Sequence, residues 1–183
     1  MEKIISKAYL NDIFSNENVS DSIINEAKIL RLSDSRYDQV TVFLSHKHDE
    51  TKELGQIIKL LKTIGVNVYV DWLDDGMPKN TSGITAQKIK DKITKCQKFI
   101  LVATEGAISS KWCNWELGLG DAKKYPRDIA IIPISENRNT EWTGSEYLQI
   151  YPIITSQNEY ISGQFYVEFN NTRITLAEWL RRR

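Results

Sequence analysis

Two runs constrain this chain more than anything else in it. Phe99-Ile100-Leu101-Val102-Ala103 and Ile129-Ala130-Ile131-Ile132-Pro133-Ile134 are apolar throughout. A strand with one wet face alternates polar and apolar residues. A strand covered on both faces does not, and such strands belong to parallel sheets flanked by helices. Val40-Thr41-Val42-Phe43-Leu44 and Val66-Asn67-Val68-Tyr69-Val70 read as two more strands ahead of them, and a fifth falls within 151–155 or 165–169.

Helical patterns separate these runs. Leu54, Ile57, Ile58, Leu61 and Ile64 form one stripe, closed by Gly65. A second helix carries Ile84, Ile89 and Ile93, and a third holds Trp112 and Glu116 behind a cap at Ser109 or Ser110. Thr175-Leu176-Ala177-Glu178 is a capping box that opens a last helix with Leu176, Trp179 and Leu180. Alternating strands and helices predict an α/β class with a doubly wound, mainly parallel sheet over residues 39–183. Residues 1–38 stand outside the alternation and read as an N-terminal helical extension. Ile4, Ile5, Ala8, Tyr9 and Ile13 suit one amphipathic helix there, and Ile23, Ile24, Ala27 and Leu30 suit another.

A chain of 183 residues supports one full core but hardly two. Its 24 basic and 24 acidic residues balance, which argues against a nucleic-acid partner held by phosphate neutralisation. No apolar run approaches the roughly 20 residues that span a bilayer, and the first six residues lack the apolar core of a secretion signal. Cys96 and Cys113 are far apart, in no metal-ligand spacing, and sit among apolar neighbours. The expectation is a cytoplasmic, reduced, metal-free protein with neither a membrane nor a nucleic-acid partner.

In doubly wound sheets ligands bind outside the carboxyl ends of the strands. The loops at those ends are 45–50, 71–82 and 104–111. Beside the last of them, Trp112 and Glu116 lie one helical turn apart on one face. A carboxylate held against an indole loses hydration and gains proton affinity, as functional carboxylates often do. The plainer alternative is a core anchor beside a solvated charge. Ser45, His46, His48 and Asp49 have the residue types of a hydrolytic triad, but they are too close in sequence to face one another and no Gly-x-Ser-x-Gly elbow is present. His46 and His48 alone make a poor metal site for want of a third nearby ligand. Gly118 and Gly120 each cost a helix roughly 1 kcal/mol, which suggests that a backbone or ligand approaches them closely. They form no dinucleotide fingerprint, and there is no phosphate-binding loop of Walker type.

Taken together, Phe43-Leu44-Ser45-His46 with Asp49 and Glu50, then Val68-Tyr69-Val70-Asp71-Trp72 with Gly76 and Pro78, then Trp112-Cys113-x-x-Glu116-Leu117, resemble a Toll/interleukin-1 receptor (TIR) domain. The likeness runs over about residues 38–180 and is greatest to bacterial members in which Trp-x-x-x-Glu marks an NAD-cleaving site. It implies a flavodoxin-like, five-stranded sheet, and a mobile 71–82 loop that often makes TIR–TIR contacts. It also implies NAD+ as a substrate rather than a cofactor. Many such domains split NAD+ into nicotinamide and ADP-ribose or a cyclised product, in bacteria often as an anti-phage signal sensed by a separate effector. Others are scaffolds without activity, and that is the alternative reading here. A nucleoside deoxyribosyl transferase is a third.

One carboxylate can suffice for that chemistry. Ordinary glycosidases need an acid to protonate the leaving oxygen and a second carboxyl group. Nicotinamide is already cationic in NAD+ and leaves neutral, so the remaining task is to stabilise a ribose that turns cationic. The resemblance assigns that catalytic role to Glu116. Trp112 suits either shielding the substrate or anchoring the core. Ser45 and His46 are candidates for nucleotide contact, Asp71 for accepting ribose hydroxyls and Trp72 for an aromatic lid, against plain readings as turn caps and surface residues.

Overall fold

The computed structural model describes residues 4–14, 39–71, 82–137, 146–156 and 164–182. In chain order the elements are β1 (Ile5–Ser6), α1 (Lys7–Ile13), β2 (Thr41–Ser45), α2 (Thr51–Thr63), β3 (Asn67–Tyr69) and α3 (Gly83–Lys95). There follow β4 (Lys98–Ala103), α4 (Glu105–Ser109), α5 (Lys111–Lys124), β5 (Ile129–Ser135), a 3-10 turn (Glu146–Ile150), β6 (Ile153–Ser156), β7 (Phe165–Phe169), β8 (Thr172–Thr175) and α6 (Leu176–Arg181).

The sheet runs β3-β2-β4-β5-β6-β7-β8, with β1 paired to β5. The first five strands are parallel, in the flavodoxin-like order. Both candidates for the last strand are strands. β6 lies parallel to β5 through Ile131 and Ile153, and β7 then pairs antiparallel with β6 and β8 with β7. The added hairpin covers what would be the open edge of β6. Asn170 and Asn171 turn its corner at φ of 48° and 62°, as a two-residue hairpin loop matched to strand twist requires.

The two unbroken apolar runs become central strands, buried at every residue. Successive side chains point to opposite faces. Ile100, Val102, Ala130, Ile132 and Ile134 therefore join the core under α2 and α6, with Ile57, Leu61 and Leu180. Phe99, Leu101, Ala103, Ile129 and Ile131 join the core under α3 and α5, with Ile89, Ile93 and Leu117. Two helix layers on one sheet make the fold doubly wound.

Local chemistry accounts for the helix ends. Gly65 closes α2 at φ 89°, a conformation that costs glycine nothing. Ser110 caps α5 by accepting from the Cys113 amide at 3.3 Å. Ser109 instead ends α4, a short helix absent from the sequence reading and capped by Thr104. Thr175 caps α6 through the Glu178 amide at 3.1 Å. Ile84, read as part of a buried stripe, is two-thirds exposed in the first turn of α3, whose buried apolar side chains are Ile89 and Ile93.

The N-terminal extension is partly built into the domain. Ile5 pairs with Ile134 as a strand rather than a helical residue, and Tyr9 and Leu10 of α1 are buried in the same core as Ile57. The second helix expected around Ile23 to Leu30 lies outside the described residues. No helix among those described is long and apolar enough to cross a membrane.

Candidate active site

Parallel strands bring their carboxyl ends to one end of the sheet, and that is where the candidate residues meet. Phe43 of β2 pairs with Tyr69 of β3. Two residues further along, Ser45 is the last residue of β2 and Asp71 follows the end of β3. Ser45, His46 and Asp71 are all buried. α5 starts at the same end, and its second turn carries Glu116.

Glu116 is 2% exposed. The Ser45 hydroxyl donates to its Oε2 at 2.6 Å, and a hydrogen bond with the Trp112 side chain adds a second contact. Burial, and then the negative charge of Asp71, raise its pKa to about 8 against the opposing pull of those two hydrogen bonds. A carboxyl group in this state is poised to ionise when a cation arrives. The hydrogen bond from the indole neighbour named from sequence therefore lowers its proton affinity, the reverse of the direction expected. Loss of water is the main influence on it.

His46 donates from Nδ1 to the Leu44 carbonyl at 3.2 Å, and burial pushes its pKa down to about 4, so its ring is neutral at physiological pH. His48, half-exposed, places Nε2 3.3 Å from Asp71 Oδ2, a contact that raises its pKa. Cys113 donates its thiol to the His46 carbonyl at 3.2 Å, and burial raises its pKa to about 11, which leaves it an inert clasp rather than a nucleophile. The Ser45–His48 segment therefore does not form a nucleophile–base pair. Ser45 bonds to a carboxylate, and His46 turns its Nδ1 toward its own backbone.

Trp112 is partly buried against the α5-side core and packs at a tilt against Trp115, at 4.9 Å between ring centroids. Of the roles weighed from sequence it fills the core anchor, and it also bonds to Glu116. Trp72 lies outside the described residues. Gly120 meets the Phe99 ring, which would stand 2.9 Å from an added Cβ, whereas Gly118 faces open space. A side chain of β4, rather than a backbone or ligand, is what approaches this helix.

Glu50, part of the first motif, is a supporting residue to which the sequence assigned no partner. Thr104 donates to its Oε2 at 2.5 Å, which ties the loop after β2 to the start of α4. A Cβ on Gly106 would fall 2.6 Å from Glu50 Oε1 and 2.7 Å from Lys47 Cδ, so both side chains pack closely over this glycine. Nothing in the local sequence pairs Glu50 with Thr104, 54 residues away. Two cavities, of about 840 and 520 Å³, lie at the opposite end of the sheet, around Tyr125 and Arg173 and around Lys98 and Asp128. Neither is lined by Glu116, and the buried carboxylate is the better guide to chemistry than cavity size.

The sequence pattern of the TIR domain matches residues 42–168. The chain belongs to the TIR domain family. This TIR chain is 29% identical over 186 aligned positions to a Bacillus cereus (strain MSX-D12) protein named as a probable 3' cyclic ADP-D-ribose synthase, ThsB'. That alignment covers 92% of this chain and 90% of the relative. It is also 27% identical over 103 positions to a Cytobacillus dafuensis protein named as a candidate cyclic ADP-D-ribose synthase, TIR2. There the match covers 55% of this TIR chain and 27% of the larger relative.

Proposed function

We propose that this TIR protein cleaves the nicotinamide–ribose bond of NAD+ and recloses the ADP-ribose as a cyclic product. The observation that carries the reading is Glu116, a buried carboxylate at the carboxyl end of the sheet, held by Ser45 beside Asp71 and Trp112. The names of its two relatives support both the substrate and the cyclic product.

The pyridinium of an entering NAD+ brings a positive charge toward Glu116 and favours its ionised form. The electron pair of the breaking C–N bond goes to the ring nitrogen, and nicotinamide departs neutral without a general acid. The carboxylate stabilises the cation left on the ribose. Asp71 would accept from ribose hydroxyls, with His46 as a neutral neighbour. Capture of the cation by a hydroxyl within the same ADP-ribose closes the ring, and that hydroxyl releases its proton. Capture by water gives linear ADP-ribose. The product would serve as a signal to a separate effector protein, with anti-phage defence as the setting.

The test is nicotinamide release from NAD+ by the purified protein, with mass spectrometry of the nucleotide product. Loss of a preorganised group of this kind typically costs about 10²–10³ in rate, the drop expected for Glu116→Gln. Wild-type protein that releases no more nicotinamide than Glu116→Gln across a wide range of protein concentration would reject the reading. A wholly linear product would retain the cleavage and reject the cyclisation.

A further inference from the structure

We propose that His46, His48 and Asp71 form a binding site for a divalent transition-metal ion of the zinc type, and that its occupancy shuts the neighbouring Glu116 site. The sequence shows only two histidines in this loop and no third ligand. The fold supplies one, because β3 ends beside β2 and delivers Asp71, 23 residues after His48. One ligand atom from each of the three residues lies within 4.8 Å of the other two.

The internal geometry suits a small tetrahedral ion. Two ligands on one zinc, at bond lengths of about 2.0–2.1 Å, stand about 3.4 Å apart. His48 Nε2 and Asp71 Oδ2 are separated by 3.3 Å, so this contact already has the length of one edge of a coordination tetrahedron. The third corner is oriented from behind. The Leu44 carbonyl can only accept, so His46 Nδ1 carries the proton and Nε2 is the ring nitrogen that can offer a lone pair. A metal-binding histidine held by a backbone carbonyl at its other nitrogen is the usual outer arrangement. His46 and Asp71 are buried, while His48 is half-exposed.

Charge favours a cation here as well. The carboxylate of Asp49 acts electrostatically on His48. Two imidazoles and one carboxylate with an open fourth position suit Zn2+, which has no geometric preference of its own. A bound ion would take Asp71 away from the ribose and repel the pyridinium of the substrate. This second part rests on the proposed NAD+ cleavage. Binding of the ion does not.

The two parts are tested separately. Binding is read by titrating metal-stripped protein with Zn2+ in a calorimeter and with Co2+ in the visible spectrum. One ion per chain is expected, with an intense four-coordinate Co2+ band. His48→Ala and Asp71→Asn should each weaken binding by at least about 10-fold. His48 is at the surface, so its alanine variant is expected to fold, which a circular-dichroism melt verifies. Absence of saturable 1:1 binding, or equal binding in both variants, overturns the site. So does binding abolished by Cys113→Ser and spared by the other two, which would place the ion on sulfur. For the second part, Zn2+ should suppress nicotinamide release, EDTA should restore it, and half-inhibition of His48→Ala should need at least about 10-fold more Zn2+. Saturable binding with undiminished turnover overturns the blocking role. A protein that binds Zn2+ at these residues but never cleaves NAD+ would refute the proposed activity and the blocking role with it, while upholding the site.

Discussion

The hydroxyl of Ser45 lies 2.6 Å from Oε2 of Glu116, and this bond joins the end of β2 to the second turn of α5. It works against the dominant effect at the site. Burial drives the Glu116 carboxyl toward its neutral form, and the Ser45 hydroxyl holds it toward the charged one.

Removing that hydroxyl should move the pH profile. A hydrogen bond to a charged group contributes about 1.5–3 kcal/mol, and one pKa unit corresponds to about 1.4 kcal/mol. Ser45→Ala should therefore shift the rising limb of NAD+ cleavage upward by about 1–2 pH units and cut turnover near neutrality by about 10-fold or more. Ser45→Thr, which keeps a hydroxyl, should recover part of the loss. A limb that stays in place in Ser45→Ala would show that the hydroxyl does not tune Glu116.

For the wild type, the sign follows from the form that acts. The ionised carboxylate is the useful species, and its pKa is raised to about 8. kcat/KM, which reports groups of the free enzyme, should climb with pH and level off above about 8. The measurement is made with EDTA present, so that no metal ion contributes. A flat profile between about pH 6 and 9 would mean that ionisation of Glu116 is not required.

Stability should run the opposite way. The folded protein holds the Glu116 proton up to about pH 8, whereas an unperturbed carboxyl releases it near 4.5. Between those values the folded state binds more protons than the unfolded state, so this group's contribution to stability falls as pH rises. Glu116→Gln keeps the shape and removes the titration. Its melting temperature should gain on the wild type between about pH 6 and 9, by at least the 2–4 °C that about 1 kcal/mol produces in a chain of this size. Parallel melting curves across that range would contradict the buried, proton-holding carboxyl.

The two glycines of α5 should respond with opposite signs. A Cβ at Gly118 meets nothing within 4 Å, so Gly118→Ala should stabilise the helix by about 0.5–1 kcal/mol. A Cβ at Gly120 falls 2.9 Å from the Phe99 ring, in the packed core under α5. Gly120→Ala should destabilise by about 1–3 kcal/mol, the usual cost of overpacking. Chemical denaturation of both variants checks the pair, and a stabilising Gly120→Ala would show that the Phe99 ring yields freely.

How much could be read without coordinates differs from element to element. The apolar runs at 99–103 and 129–134 were legible as central parallel strands, because burial on both faces leaves no polar position in them. The Trp112–Glu116 pair was legible because four residues make one helical turn. The β7–β8 hairpin was less so. Its Asn-Asn corner is a weaker turn signal than Asn-Gly, and β8 is mostly exposed, so no apolar alternation marks it. Helix α4 has only five residues, too few to show a period.

What the chain determines locally is which segments are strands or helices, where their caps fall and which faces are apolar, since each depends on neighbours a few residues away. The proton affinity of Glu116 and the meeting of His46 and His48 with Asp71 were decided by the tertiary structure. So was the tie between Glu50 and Thr104. A carboxyl group at the surface of the same helix would keep its ordinary pKa. Only the stacking of β2, β3 and α5 takes away its water and brings a second negative charge beside it.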